Sequence, residues 1–189
     1  MPNSIKAIVL DSETTGLRAP EPCEIAYIAL KELTHYSAES IIRDKHTMYL
    51  QRFKPSKPIE AGAKAVHGIS DSDVADCPPF TLTALGLEDS VEYLICHNVS
   101  YDFRVLGKPE NRFKKICTVK LAKQLWPELP SHKLTVIVET FFPDIAKQLT
   151  VGAHGALVDS KLCLLILAKA LEEFELNSWA DIYEIAGQK

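Results

Sequence analysis

Two carboxylates stand two residues apart in DSETTG, residues 11–16, directly after the apolar run IKAIVL, residues 5–10. Side chains at i and i+2 of a strand leave the same face about 6.5–7 Å apart, so Asp11 and Glu13 point together. Acids held that close oppose each other's ionisation unless a cation lies between them, and hard divalent cations such as Mg²⁺ favour carboxylate oxygen. Asp102 follows another apolar run in ICHNVSYDF, residues 95–103, and Asp159 lies in AHGALVDSKL, residues 153–162, five positions after His154. Five residues turn roughly 140° about a helix axis, so these two would not share a helical face, and His154 belongs on the loop leading into the helix. Taken singly, each feature also has a plain explanation. The pair suits a solvated strand end, Asp102 a helix start favoured by the helix dipole, and His154 an ordinary loop.

The elements that must position these residues divide the chain in two. The front half reads as strands at 5–10, 23–30 and 46–53, the simplest arrangement being a three-stranded meander. A Pro-punctuated, loop-rich flap follows at about 54–80, where Ser70 or Asp71 would cap a short helix and Pro78-Pro79 end it. VEYLICHN, residues 91–98, is a buried strand leading into a helix near Tyr101. The back half is helical: 115–127 stopping at Pro127, 132–143 stopping at Pro143, a long buried helix at 156–174 and a short one at 178–186. Strands first and helices later, with one strand between helices, indicate a mixed sheet carrying helices in one domain over 1–189.

In this setting D-x-E-T-T-G at 11–16, H-N-x-x-Y-D at 97–102 and H-x-A-x-x-D at 154–159, in that order, resemble the three motifs of the DEDDh 3′→5′ exonucleases. HGIS at 67–70 and ICTVKLAKQLWP at 116–127 bring the chain closest to the exodeoxyribonuclease X and polymerase III epsilon types. The resemblance implies a ribonuclease H-like α/β fold, a mixed five-stranded sheet flanked by helices, with Asp11, Glu13, Asp102 and Asp159 binding two Mg²⁺ or Mn²⁺ ions. Asp11 is expected to bridge both ions, Glu13 and Asp159 to complete the first site, and Asp102 to contribute directly or through water. His154 is expected as general base, since imidazole titrates near neutrality.

A strand end must also be gripped. The backbone N–H groups of Thr14, Thr15 and Gly16 suit a terminal sugar hydroxyl or phosphate, with Gly16 allowing close approach. The resemblance adds Leu17 as a wedge between the last two bases, His67 as a cover over the terminal nucleotide and Asn98 as a hydrogen-bond donor near the scissile phosphate. Core-edge, turn and cap roles stay open for these three. His97 reads as structural, and Trp126 and Trp179 as packing residues. Gly155 follows His154, where the resemblance leads one to expect Arg in several relatives.

A formal charge of −4 argues against a broad basic surface that grips duplex DNA nonspecifically, though acids gathered round a metal would themselves lower the net charge. The five cysteines are scattered and form no C-x-x-C pair, so neither a disulfide framework nor a zinc site is expected. No run approaches the roughly 18 apolar residues of a membrane span, and MPNSIK lacks the pattern of a signal peptide, which points to a cytoplasmic protein without a membrane partner. Single-stranded or frayed DNA 3′ ends are the expected substrate. RNA, a second copy of the chain and a DNA polymerase stay open as partners, although the short stretch after the last helix favours a free-standing enzyme over a polymerase-docked or noncatalytic subunit.

Overall fold

A computed structural model describes residues 4–34, 36–43, 46–110, 112–149 and 155–188. The meander is present: β1 (Ala7–Thr14) pairs antiparallel with β2 (Pro22–Leu30). After α1 (Ala38–Ile42), β3 (Thr47–Arg52) pairs antiparallel with β2 as the sheet's edge. The flap holds α2 (Ala61–His67), closed by Gly68 at φ 76°, and then a single 3₁₀ turn over Asp71–Asp73 that Ser70 caps.

Beyond the flap, β4 (Tyr93–Cys96) runs parallel to β1 and leads into α3 (Val99–Val105). The next strand, β5 (Lys114–Cys117), corrects the expected helix over 115–127: its first three residues extend the sheet, and α4 (Thr118–Leu125) starts only at Thr118. Four residues are too few to reveal a period. Pro143 likewise does not simply stop a helix. It ends the segment containing α5 (Leu134–Phe141) and opens α6 (Pro143–Leu149), since proline lacks only an N–H that the first helical turn leaves unpaired.

The two remaining helices match expectation closely: α7 (Ala156–Glu173), and α8 (Trp179–Ala186), whose start is fixed by a Ser178–Asp181 capping box. A two-residue β6 (Gly187–Gln188) adds a short edge to the five main strands, giving the order β3-β2-β1-β4-β5-β6. Among the described residues no helix is long and apolar enough to cross a membrane.

β1 lies at the centre and is covered on both faces. Ala7 and Val9 pack into the cluster that contains the buried side of α7, whereas Ile8 and Leu10 pack into the opposite one with Phe53 and Leu85. The pleat continues, so the odd-numbered Asp11 and Glu13 emerge on the α7 side as apolar cover gives out. The register shifts between Glu13 and Thr14, and such a bulge lets the chain leave the ladder beside the acids. Trp126 is buried and Trp179 stacks on Tyr93, so both are packing residues. The five cysteines are free, four of them buried.

Candidate active site

One carboxylate oxygen each from Asp11, Glu13 and Asp159 lies within 4.8 Å of the others, uniting the central strand with the first turn of α7. Asp102 enters from α3, buried to 3% exposure, with the Ser12 hydroxyl donating to its Oδ1 at 2.7 Å. The four acids sense one another. Burial, then the charges of Asp102, Asp159, Glu13 and Glu24, push the Asp11 carboxyl well above its ordinary range. Burial and the charges of Asp159, Glu24 and Asp102 push Glu13 up to about 7. Asp102 also reaches about 7 through burial, against the pull of its hydrogen bonds from Ser12 and the backbone.

At neutral pH these groups cannot all ionise without added positive charge. Arg52, a cation close to this cluster, is already paired with Glu24 through Nε at 3.0 Å. An all-oxygen, partly buried donor set of this kind fits hard divalent cations, held by Asp11, Glu13 and Asp159 with Asp102 alongside. His154 lies outside the described residues; α7 starts two positions after it, at Ala156.

Beside the acids lies a cleft of about 570 Å³, lined by Glu13, Thr14, Gly16, Leu17, Asn98 and Tyr101, with α2 forming its far wall. Gly16 stands at φ 153°, a backbone conformation that other residues rarely adopt, and a Cβ there would also displace the Glu60 carboxylate. Leu17 is 79% exposed at the lip, a position no core-edge role explains. Asn98 takes φ 77° at the N-cap of α3, yet its side chain makes no capping bond. The expected backbone trio needs one correction. The Thr15 N–H donates to the Glu21 carbonyl at 2.9 Å and is not among the residues lining the cleft, because the turn consumes it internally.

His67 lines the cleft but is also a clip between flap and strand. Its Nδ1 accepts the Ile69 N–H at 3.1 Å, which leaves the proton on Nε2, 3.1 Å from the Thr14 carbonyl oxygen. Flap and strand are further joined by Glu60 N–H to Thr15 O at 2.9 Å, and by Lys57 Nζ to Arg18 O at 2.9 Å.

Sequence reasoning missed two residues. Tyr101 hydrogen-bonds Thr14 Oγ1 at 2.6 Å and donates to the Gly16 carbonyl at 3.1 Å, fixing the cleft floor. Its position next to Asp102 in the second motif was the available signal. Glu24 is buried directly opposite Glu13 on β2, and an acid inside the apolar run CEIAYIAL was the clue.

Acids at the carboxyl end of a central strand, answered by one acid from a helix start and one from a packed helix, define a ribonuclease H-like α/β nuclease fold. The exonuclease family model, RNase_T, matches residues 8–167, and the chain belongs to that family.

Exodeoxyribonuclease 10 of Escherichia coli K12 is 30% identical over 132 residues, covering 67% of this chain and 54% of that protein. DNA polymerase III subunit epsilon of Pasteurella multocida is 28% identical over 182 residues, covering 83% and 64%. The chain thus spans between half and two thirds of the length of these relatives. Among solved structures, Exonuclease X in complex with 5′ overhanging duplex DNA superposes with a TM-score of 0.64 at 27% identity, over 93% of this chain and 98% of that one. The zinc-bound E. coli ExoI–ssDNA complex shares the fold, with a TM-score of 0.63 at 13% identity over 90% of this chain and 42% of that one.

Proposed function

We propose that the chain is a single-domain, metal-dependent 3′→5′ exodeoxyribonuclease that hydrolyses the terminal phosphodiester of single-stranded or frayed DNA and releases nucleoside 5′-monophosphates. The observation that carries this is the meeting of Asp11, Glu13 and Asp159 within 4.8 Å, beside a cleft sized for a nucleotide. Similarity to exodeoxyribonuclease 10 and to the DNA-bound Exonuclease X supports DNA as the substrate.

Two Mg²⁺ or Mn²⁺ ions, when bound, would supply the charge that activates water and stabilises the leaving oxygen. Asp11 lies within 4.8 Å of Glu13 and Asp159 and also feels the charge of Asp102, so it would hold the ions together with all three. Ser12 orients Asp102 through its Oδ1. The cleft floor, stiffened by Tyr101, would receive the terminal sugar, with Leu17 against the neighbouring base and Asn98 near the phosphate. A ring nitrogen of His154 would take the proton of the attacking water.

The test is degradation of matched 5′-labelled single-stranded DNA, duplex DNA and RNA with Mg²⁺ or Mn²⁺, with and without chelator. Chelator-sensitive shortening of DNA from the 3′ end is expected; preference for RNA would move the chain to the exoribonuclease reading. His154→Ala should lower turnover by roughly 10²- to 10⁴-fold while Mn²⁺ binding persists. Unchanged turnover would remove His154 from the mechanism. Similarity to polymerase III epsilon subunits supports a second reading, a polymerase-bound proofreading subunit, and stoichiometric copurification with a replicative polymerase would establish it.

A further inference from the structure

Strand β2 touches both halves of the acid cluster at once. Its Ala26 lies opposite Asp11 and its Glu24 opposite Glu13 in the β1–β2 register. The same two residues hold the start of α7: Ser160 Oγ donates to the Ala26 carbonyl at 3.3 Å, and the Ala156 N–H donates to Glu24 Oε1 at 3.2 Å. Asp159 lies between these two attachments, in the first turn of the helix.

Glu24 is not an incidental acid. It is buried beside Glu13 and raises the pKa of both Asp11 and Glu13, so its charge burdens the cluster. Like charges directly opposite on paired strands are destabilising. What Glu24 provides in return is a cap. Gly155 at the N-cap of α7 has no side chain to receive the unpaired N–H groups of the first turn, and a carboxylate at that end is favoured by the helix dipole. Glu24 Oε1 takes that place from a neighbouring strand, while Arg52 Nε on β3 holds Oε2 at 3.0 Å and fixes the carboxylate plane.

We propose that Glu24, oriented by Arg52, is a positioning residue that sets Asp159 against Asp11 and Glu13 and so tunes metal affinity. This rests on the metal-dependent reading above, and the experiment separates the two. Mn²⁺ binding to the whole chain is measured by electron paramagnetic resonance, together with exchange of the Ala156 amide in the metal-free protein and the Mn²⁺ dependence of turnover.

Glu24→Ala should weaken Mn²⁺ binding roughly 10- to 100-fold, the usual consequence of losing a group that orients a ligand. It should raise the half-saturating Mn²⁺ in proportion, leave the oligonucleotide KM unchanged and speed exchange at Ala156. Glu24→Gln keeps an oxygen for the Ala156 N–H but turns an amide N–H towards Arg52 Nε, so it should bind Mn²⁺ with an affinity between those of Glu24→Ala and wild type. Wild-type Mn²⁺ affinity in Glu24→Ala would overturn the proposal, and so would Glu24→Gln binding as tightly as wild type, since Arg52 would then have no orienting part. If Glu24→Ala does not fold, Arg52→Ala on the edge strand decides: weakened Mn²⁺ binding supports the proposal and wild-type binding overturns it. A wild-type chain that takes up no Mn²⁺ would reject the metal reading itself, and this proposal with it.

Discussion

Two buried polar clusters sit at the ends of the adjacent parallel strands β1 and β4, and they resolve burial in opposite ways. Just past β4, His97 is fully engaged: Nδ1 meets Thr118 Oγ1 at 3.0 Å and Nε2 meets the His132 carbonyl at 3.1 Å. Burial holds its imidazole neutral, lowering the pKa to about 4. At the end of β1, the same loss of water pushes Glu13 and Asp102 up to about 7, and like charges add to the burden on Glu13. The histidine cluster closes within the protein and serves to hold β4, α4 and the 132 loop together. The acid cluster instead gathers like charges that protons or added positive charge would relieve, the kind of perturbation that concentrates at functional sites.

The sharpest way to break this contrast is to remove its central acid. Asp11→Asn should lower turnover on the order of 10³-fold or more, matching the several kcal/mol that a properly held metal charge supplies. It should also raise the stability of the metal-free protein, because one of the opposing charges is gone. Turnover assays and metal-free melts on the same variant check both parts.

The pH dependence of stability separates the clusters next. Glu13 and Asp102 keep their protons to about 7 in the fold, against 4.5 and 3.8 ordinarily, so the native state holds the extra protons across that window. Their contribution to metal-free stability is therefore greatest at acid pH and declines as pH rises towards 7. His97 has the reverse sign: lowered from 6.5 to about 4, it contributes fully above 6.5 and is lost as pH falls through 4. Mn²⁺ at about 100 times its dissociation constant should raise the melting temperature by roughly 5–10 °C at pH 8, and by much less at pH 5.5. Thermal melts with Mn²⁺ or chelator at both values check this, and an equal rise at both would contradict it.

The smallest effect belongs to the closed cluster. His97→Phe leaves the Thr118 hydroxyl and the His132 carbonyl without their ring partner and should cost about 1–3 kcal/mol of stability. Mn²⁺ affinity should stay at the wild-type value. A denaturant titration and a metal titration read the two quantities separately.

Much of this arrangement was legible in residue order, and the exceptions share a cause. The long helix was readable at 156–174 and runs over Ala156–Glu173, because eighteen residues buried on most sides leave no alternative element. The grouping of Asp11, Glu13 and Asp159 was readable mainly from the order of the three motifs, since each acid taken singly has a plain local explanation. Lys114–Cys117 was not, since a strand so short carries no period, and α6 was hidden by a proline that both ends and begins helices. The commitment of the Thr15 N–H to the Glu21 carbonyl, the clip made by His67 and the cap made by Glu24 depend on partners 6, 53 and 132 positions away, which no local pattern encodes.

Diffraction from crystals soaked in Mn²⁺, collected at the manganese edge, tests the central claim most directly. Anomalous density among the Asp11, Glu13 and Asp159 oxygens, with Asp102 facing it, is the predicted result. Ordered carboxylates with no density between them would contradict it.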